Sequence, residues 1–203
     1  IKLLARFYDV NEGQILINGI DIRELDLAEW HKQIGILFQD FNRYEDTAQH
    51  NIYYGNILRE KADESIKLAA AQSGADDIID SFEKKYEQML GLTFEKGVEL
   101  STGQWQKMAL ARAYFRNAPV LVLDEPTAAI DAKAEQEIFE RVEKLSADKT
   151  VILISHRFST VRRADSIVVL FGGSILEQGT HDELMKKNGL YAELFGIQAK
   201  GYL

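Results

Sequence analysis

The sequence predicts an α/β fold that is built around a parallel sheet and interrupted by a helical insertion. Two apolar runs of strand length, residues 120–123 and 151–154, are typical of strands covered on both faces of a parallel sheet. A helix is predicted between them over residues 131–145, because its apolar side chains recur on one stripe: Ala134, Ile138, Val142 and Leu145. This strand–helix–strand order implies a right-handed crossover between neighbouring parallel strands.

The remaining segments predict further strands and one long helical stretch. Strands are expected at residues 14–18 and 34–39, and a hairpin is expected around Gly172 and Gly173. From residue 46 to about residue 117 the pattern is helical, including short pieces near residues 78–79 and 86–90. We therefore expect a core domain of residues 1–45 and 118–203 and an inserted helical domain of residues 46–117.

Composition limits the classes of function. The 203 residues carry 24 Lys and Arg against 32 Asp and Glu, and a net charge of −8 argues against an electrostatic grip on nucleic acid. The sequence contains no cysteine, which excludes disulfides and thiolate metal sites. Residues 1–7 are predicted to form the middle of an apolar helix, so we expect the chain to be a fragment of a longer protein.

Two adjacent carboxylates follow the apolar run 120–123. Asp124 and Glu125 stand at the C-terminal end of a predicted parallel strand, where ligands bind in open α/β sheets. Phosphoryl transfer to water needs a metal-coordinating acid and a group that activates the water, and these two residues fit the two roles. A solvated acidic pair at a strand end is the plainer interpretation of the same residues.

A second motif opens the helix that follows residue 101. Ser101 and Gln104 have the spacing of a capping box, which any helix can use at its N-terminus. The same helix start, with a serine hydroxyl and the small residue Gly103, is also a suitable seat for a phosphate. His156 and Gln39 each follow an apolar run as well, so we expect them at the same edge of the sheet as Glu125.

These motifs, in this order, resemble the ATP-binding domain of the ABC transporters over nearly the whole chain. The resemblance implies an α/β P-loop NTPase fold of the RecA-like type with an inserted all-helical subdomain. The matching segments are the Q-loop glutamine Gln39, the signature 100–104 with Thr102 replacing a glycine, Walker B at 121–125, the D-loop 129–131 and the switch histidine His156. Residues 6–9 and 95–97 resemble the exporter branch, in which a membrane domain precedes each ATPase domain.

The resemblance also implies a role for each matching residue. Asp124, together with Gln39, would hold Mg²⁺, and Glu125 would activate the attacking water. Gln39 and His156 would sense the γ-phosphate of ATP, and Asp131 would couple two sites. The signature would bind the nucleotide of a second ATP-binding domain in a head-to-tail dimer through Leu100, Ser101, Thr102, Gly103 and Gln104.

No G-x-x-x-x-G-K-[ST] loop occurs in the sequence. That loop supplies much of the phosphate grip in the family, so we expect residues 1–203 alone to bind ATP poorly and the full-length protein to hydrolyse it. The implied partners are a transmembrane domain upstream and a second ATP-binding domain, at the cytoplasmic face of the cell membrane. Two other interpretations stay open: a soluble ABC-type ATPase acting on nucleic acid or ribosomes, and a degenerate regulatory nucleotide-binding module.

Overall fold

The structure is a computed structural model that describes residues 1–126, 132–146 and 148–201. The chain divides into two compact units, Ile1–Ile154 and Ser155–Leu203. The sequence-based division into a core of residues 1–45 and 118–203 and a helical insertion of residues 46–117 stays a prediction.

The first unit contains a small hairpin and a parallel sheet. Strand β1 (Leu16–Ile17) is shorter than the strand predicted over residues 14–18, because Asn18 and Gly19 adopt positive φ angles of 50° and 83° and turn the chain. The turn leads into β2 (Ile20–Asp21), which was not predicted. The parallel sheet consists of β3 (Ile34–Leu37), β4 (Val120–Asp124) and β5 (Thr150–Ile154), in that order. The predicted parallel α/β core is thus observed.

Most helices of the first unit lie in the segments for which a helix was predicted, residues 46–117 and 131–145, whereas the helix over residues 27–33 was not predicted. The helices are α1 (Leu27–Gln33), α2 (Ala48–Tyr53), α3 (Asp63–Ser73), α4 (Asp76–Asp80), a 3₁₀ turn (Lys85–Glu87), α5 (Thr102–Arg116) and α6 (Ala132–Ser146). The predicted helical piece at residues 86–90 is wrong beyond Glu87, because Met89 pairs with Thr47 and Leu90 pairs with Val98 in isolated β-bridges.

The two faces of the sheet pack against different clusters. Leu121 and Leu123 of β4 join the large core formed with α5, whereas Val122 packs with Trp30 of α1 on the opposite face. The prediction that residues 151–154 are covered on both faces is wrong. Within residues 1–203, Ile152 is 37% exposed and Ile154 is 36% exposed, whereas Val151 and Leu153, on the other face of β5, pack against the helical core.

Residues 1–7 end a helical turn and do not form the predicted helix interior. The Ala5 N–H donates to the carbonyl of Ile1, and the Phe7 N–H then donates to the carbonyl of Lys2. Arg6, between them, has a φ of 53°. This is the hydrogen-bond pattern with which helices terminate at a left-handed residue.

The second unit contains a hairpin and three helices. These are α7 (Phe158–Val161), β6 (Ile167–Phe171), β7 (Ser174–Gly179), α8 (His181–Lys187) and α9 (Leu190–Gly201). The predicted turn at Gly172 and Gly173 joins β6 to β7, and a capping box of Thr180 and Glu183 opens α8. Among the helices that the structure describes, none has the length and apolar character needed to cross a bilayer.

Candidate functional site

Gln39 and Glu125 meet at the C-terminal edge of the parallel sheet. Gln39 stands two residues after the end of β3, and Glu125 comes directly after β4. The Gln39 Nε2 donates a hydrogen bond of 3.2 Å to the Glu125 Oε2. The sheet thus places an amide and a carboxylate from neighbouring strands within direct contact, with the carboxylate of Asp124 one residue away.

The backbone of Glu125 is held in an unusual conformation. Its φ is +48°, a left-handed value that costs a residue other than glycine of order 1–3 kcal/mol. The Glu125 N–H donates to the carbonyl of Ile154 at 2.9 Å, and the Glu125 carbonyl accepts from the Gln106 Nε2 at 3.1 Å. Gln106 was not among the residues expected from the sequence. The sequence feature that could have identified Gln106 is its position on the apolar stripe of α5, four residues before Leu110, where a polar residue is unexpected.

The donor atoms at this edge suit a hard divalent cation. Mg²⁺ is held in phosphate-transfer sites by one or two carboxylates together with substrate phosphates. Asp124, the half-buried last residue of β4, and the side-chain oxygen of Gln39 are donors of this kind. Within the described residues no group of three or more His, Cys, Asp and Glu side chains is arranged to hold a metal alone. The oxygen atoms of Asp124 and Gln39 are nevertheless of the kind that Mg²⁺ takes as ligands.

The N-terminus of α5 forms the second part of the site. The predicted capping box is present: the Gln104 N–H donates to the Ser101 Oγ at 3.3 Å, and the Ser101 N–H donates to the Gln104 Oε1 at 2.9 Å. Leu100 is buried and anchors this start, whereas Ser101 and Thr102 are exposed. The Thr102 and Gly103 N–H groups have no acceptor in the part of the chain that the structure describes. Orphan N–H groups at the positive end of a 15-residue helix attract an anion.

Helix α5 also holds the segment that follows Gln39. The Arg112 guanidinium donates to the carbonyl of Asn42 at 3.1 Å and to the carbonyl of Asn51 at 2.9 Å. Burial lowers the pKa of Arg112. One helix therefore begins at the signature, binds the Glu125 carbonyl near its start and binds the Gln39 loop near its end.

The structure does not place two of the expected site residues, His156 and Asp131, with Gln39 and Glu125. His156 belongs to the second unit, where its carbonyl accepts a hydrogen bond of 2.7 Å from the Gln198 Nε2 of α9. The Gln198 Oε1 accepts from the Phe158 N–H at 3.3 Å, so α9 holds the loop of His156 from both sides. The expected meeting of His156 with Glu125 stays a prediction. Asp131 and the rest of the D-loop lie outside the described residues.

Comparison with known proteins gives one consistent family. The family model described as ABC transporter matches residues 1–128. The chain is 46% identical over 194 residues to the subtilin transport ATP-binding protein SpaT of Bacillus subtilis, covering 96% of this chain and 32% of that protein. It is 42% identical over 200 residues to an ATP-dependent lipid A-core flippase of Syntrophus aciditrophicus (strain SB), covering 98% and 32%.

A solved structure agrees with these matches. The chain superimposes on the structure of a bacterial Atm1-family ABC exporter with ATP bound, at a TM-score of 0.89 and 37% identity. The alignment covers 98% of this chain and 34% of the exporter chain. The predicted P-loop NTPase fold class is confirmed by these matches. The chain spans about a third of the length of the relatives that it matches.

Proposed function

Because the chain belongs to the ABC transporter family, we propose that it is the ATP-binding and ATP-hydrolysing domain of a membrane exporter. The contact between Gln39 and Glu125, at the sheet edge held by the signature helix, is the observation that supports hydrolysis most directly. Residues 46–117 form the helical subdomain that carries the signature in this proposal, and residues 1–45 and 118–203 form the core. The remainder of the protein supplies the membrane domain, and the ATP-binding domain lies at the cytoplasmic face of the membrane.

The residues of the sheet edge divide the chemistry between them. Asp124 and the side-chain oxygen of Gln39 hold Mg²⁺, which offsets charge on the ATP phosphates when it is bound. Glu125 accepts a proton from the attacking water, and Gln39, whose amide donates to the Glu125 carboxylate, senses the γ-phosphate. His156 contacts the γ-phosphate, and Asp131 couples the two sites of a dimer.

A second ATP-binding domain completes each site. The exposed start of α5 faces outward with two N–H groups for which the described residues supply no acceptor, so it suits a phosphate presented by another chain. We assign this role to the signature, residues 100–104, in a head-to-tail dimer. Ser101 and Gly103 approach the phosphate, and the buried Leu100 fixes the start of the helix.

ATP hydrolysis by the full-length protein in lipid vesicles tests this proposal. We expect Mg²⁺-dependent release of phosphate that stops when EDTA removes the metal. A full-length protein that binds ATP and releases no phosphate would contradict the assignment and favour a regulatory nucleotide-binding module. Stimulation by RNA or ribosomes, with none by vesicles, would favour a soluble ABC-type ATPase.

Residues 1–203 alone are expected to bind ATP only weakly, with a dissociation constant above about 1 mM. The sequence lacks the glycine-rich lysine loop whose N–H groups cradle the phosphates. Equilibrium titration with a fluorescent ATP analogue measures this constant, and the full-length protein serves as the positive control. Micromolar affinity of residues 1–203 would show that the described residues grip the nucleotide by themselves.

A further inference from the structure

Gln106 is a buried glutamine whose amide is only half satisfied. It lies in the first turns of α5, two residues after Gln104 of the capping box, and its exposed fraction is 5%. Its Nε2 donates to the Glu125 carbonyl at 3.1 Å. Its Oε1 is buried and has no hydrogen-bond partner in the part of the chain that the structure describes.

Folding stability does not explain a glutamine at this position. A buried amide oxygen without a donor loses its hydration and gains nothing in exchange, so it destabilises the folded state. An apolar side chain of similar volume would avoid that loss at the cost of one hydrogen bond. An apolar side chain could not supply the amide N–H that donates to the Glu125 carbonyl.

The peptide of Glu125 needs a partner of this kind. The φ of +48° is strained for glutamate, and strained backbone persists only where its surroundings hold it. The Ile154 carbonyl holds the N–H side of the residue, and Gln106 holds the carbonyl side. The carboxylate then lies within 3.2 Å of the Gln39 amide.

We propose that Gln106 is a positioning residue, which fixes the backbone of Glu125 and thereby aims its carboxylate at the water site beside Gln39. This inference rests on the proposed function, in which Glu125 is the base. Gln106 belongs to the helix whose first residues receive the phosphate of the partner. A displacement of α5 on phosphate binding therefore moves the Glu125 carbonyl through one hydrogen bond.

The variant Gln106→Met in the full-length protein tests the proposal. Methionine fills a similar volume and removes both the N–H donor and the unpaired oxygen. We expect kcat for ATP hydrolysis to fall between about tenfold and a hundredfold, as expected for a reacting group displaced by up to about 1 Å. The KM for ATP should stay within about twofold, because Gln106 contacts no nucleotide in this scheme, and the midpoint of thermal unfolding should be unchanged or higher.

Gln49→Met is the matched control. Gln49 is a glutamine of α2 with an exposed fraction of 9%, and its Nε2 donates to the Asp63 Oδ1 at 2.8 Å. The control loses the same kind of buried amide and hydrogen bond, and Gln49 makes no contact with Gln39 or Glu125. We expect its kcat to equal that of the wild type.

The outcomes separate this inference from the proposed function. Wild-type kcat in Gln106→Met, while Glu125→Gln is inactive in the same assay, would overturn the positioning role and leave the function intact. A fall in kcat that is matched in Gln49→Met would overturn it as well. If the wild-type protein does not hydrolyse ATP, a structure of the Gln106→Met variant still tests the positioning role. The inference requires the Glu125 φ to leave the left-handed region, and an unchanged φ would refute it.

Discussion

Replacing Glu125 by glutamine in the full-length protein is expected to lower the rate of ATP hydrolysis by between about a hundredfold and ten thousandfold. This is the range that a general base contributes to proton transfer. The amide has nearly the shape of the carboxylate, so the fold and the affinity for ATP should persist. An amide accepts no proton from the attacking water, and the unhydrolysed nucleotide should therefore hold two domains together as a stable dimer.

Phosphate release measures the loss of turnover, and size-exclusion chromatography with ATP measures the trapped dimer. The control is Glu140→Gln, the same chemical change on α6, where Glu140 is exposed and accepts a hydrogen bond from Gln136. This control should hydrolyse ATP at the wild-type rate. Wild-type turnover in Glu125→Gln would refute the assignment of the base.

Ser101→Asp is expected to reduce ATP hydrolysis at least about a hundredfold without destabilising the protein. Aspartate caps a helix as well as serine does, so the start of α5 should remain intact. The added negative charge lies where the scheme places the γ-phosphate of the partner's ATP. Two unit charges 4 Å apart repel by about 4 kcal/mol at an effective dielectric constant of 20, which exceeds a hundredfold in rate.

The chain offers a matched control in its second capping box. Thr180 caps α8 through the same geometry, with its Oγ1 accepting from the Glu183 N–H at 3.4 Å. Thr180→Asp makes the same kind of replacement at a helix start to which no phosphate is assigned, and we expect unchanged turnover. Equal losses in the two variants would show that the effect of Ser101→Asp is a general electrostatic one. Thermal unfolding of both variants tests whether the caps are retained.

The meeting of Gln39 and Glu125 could be predicted from the sequence because parallel strands share one edge. Each residue follows an apolar run of strand length, and that pattern suffices to place both at the carboxyl end of the sheet. The start of α5 could be predicted for a similar reason. The spacing of Ser101 and Gln104 determines a capping box through local hydrogen bonds alone.

Features that depend on tertiary packing could not be predicted in this way. The hydrogen bond between Gln106 and Glu125 joins residues that are 19 positions apart in the sequence. No local sequence pattern specifies this hydrogen bond or the left-handed φ of Glu125. The exposure of Ile152 depends on which face of β5 the helices cover. Residues 1–7 have the composition of a helix interior, but Arg6 adopts a positive φ that ends the helical turn.

ATP hydrolysis by mixed dimers tests the composite site most directly. Two differently tagged full-length chains are purified as dimers that carry Ser101→Asp and Glu125→Gln either on one chain or on opposite chains. If each site joins Glu125 of one chain to the signature of its partner, opposite placement leaves one site intact and should retain about half of the wild-type rate per dimer, in the limit of independent sites. Placement on one chain then damages both sites and should abolish turnover. The reverse order of activities would show that each site is built within a single chain and would contradict the account.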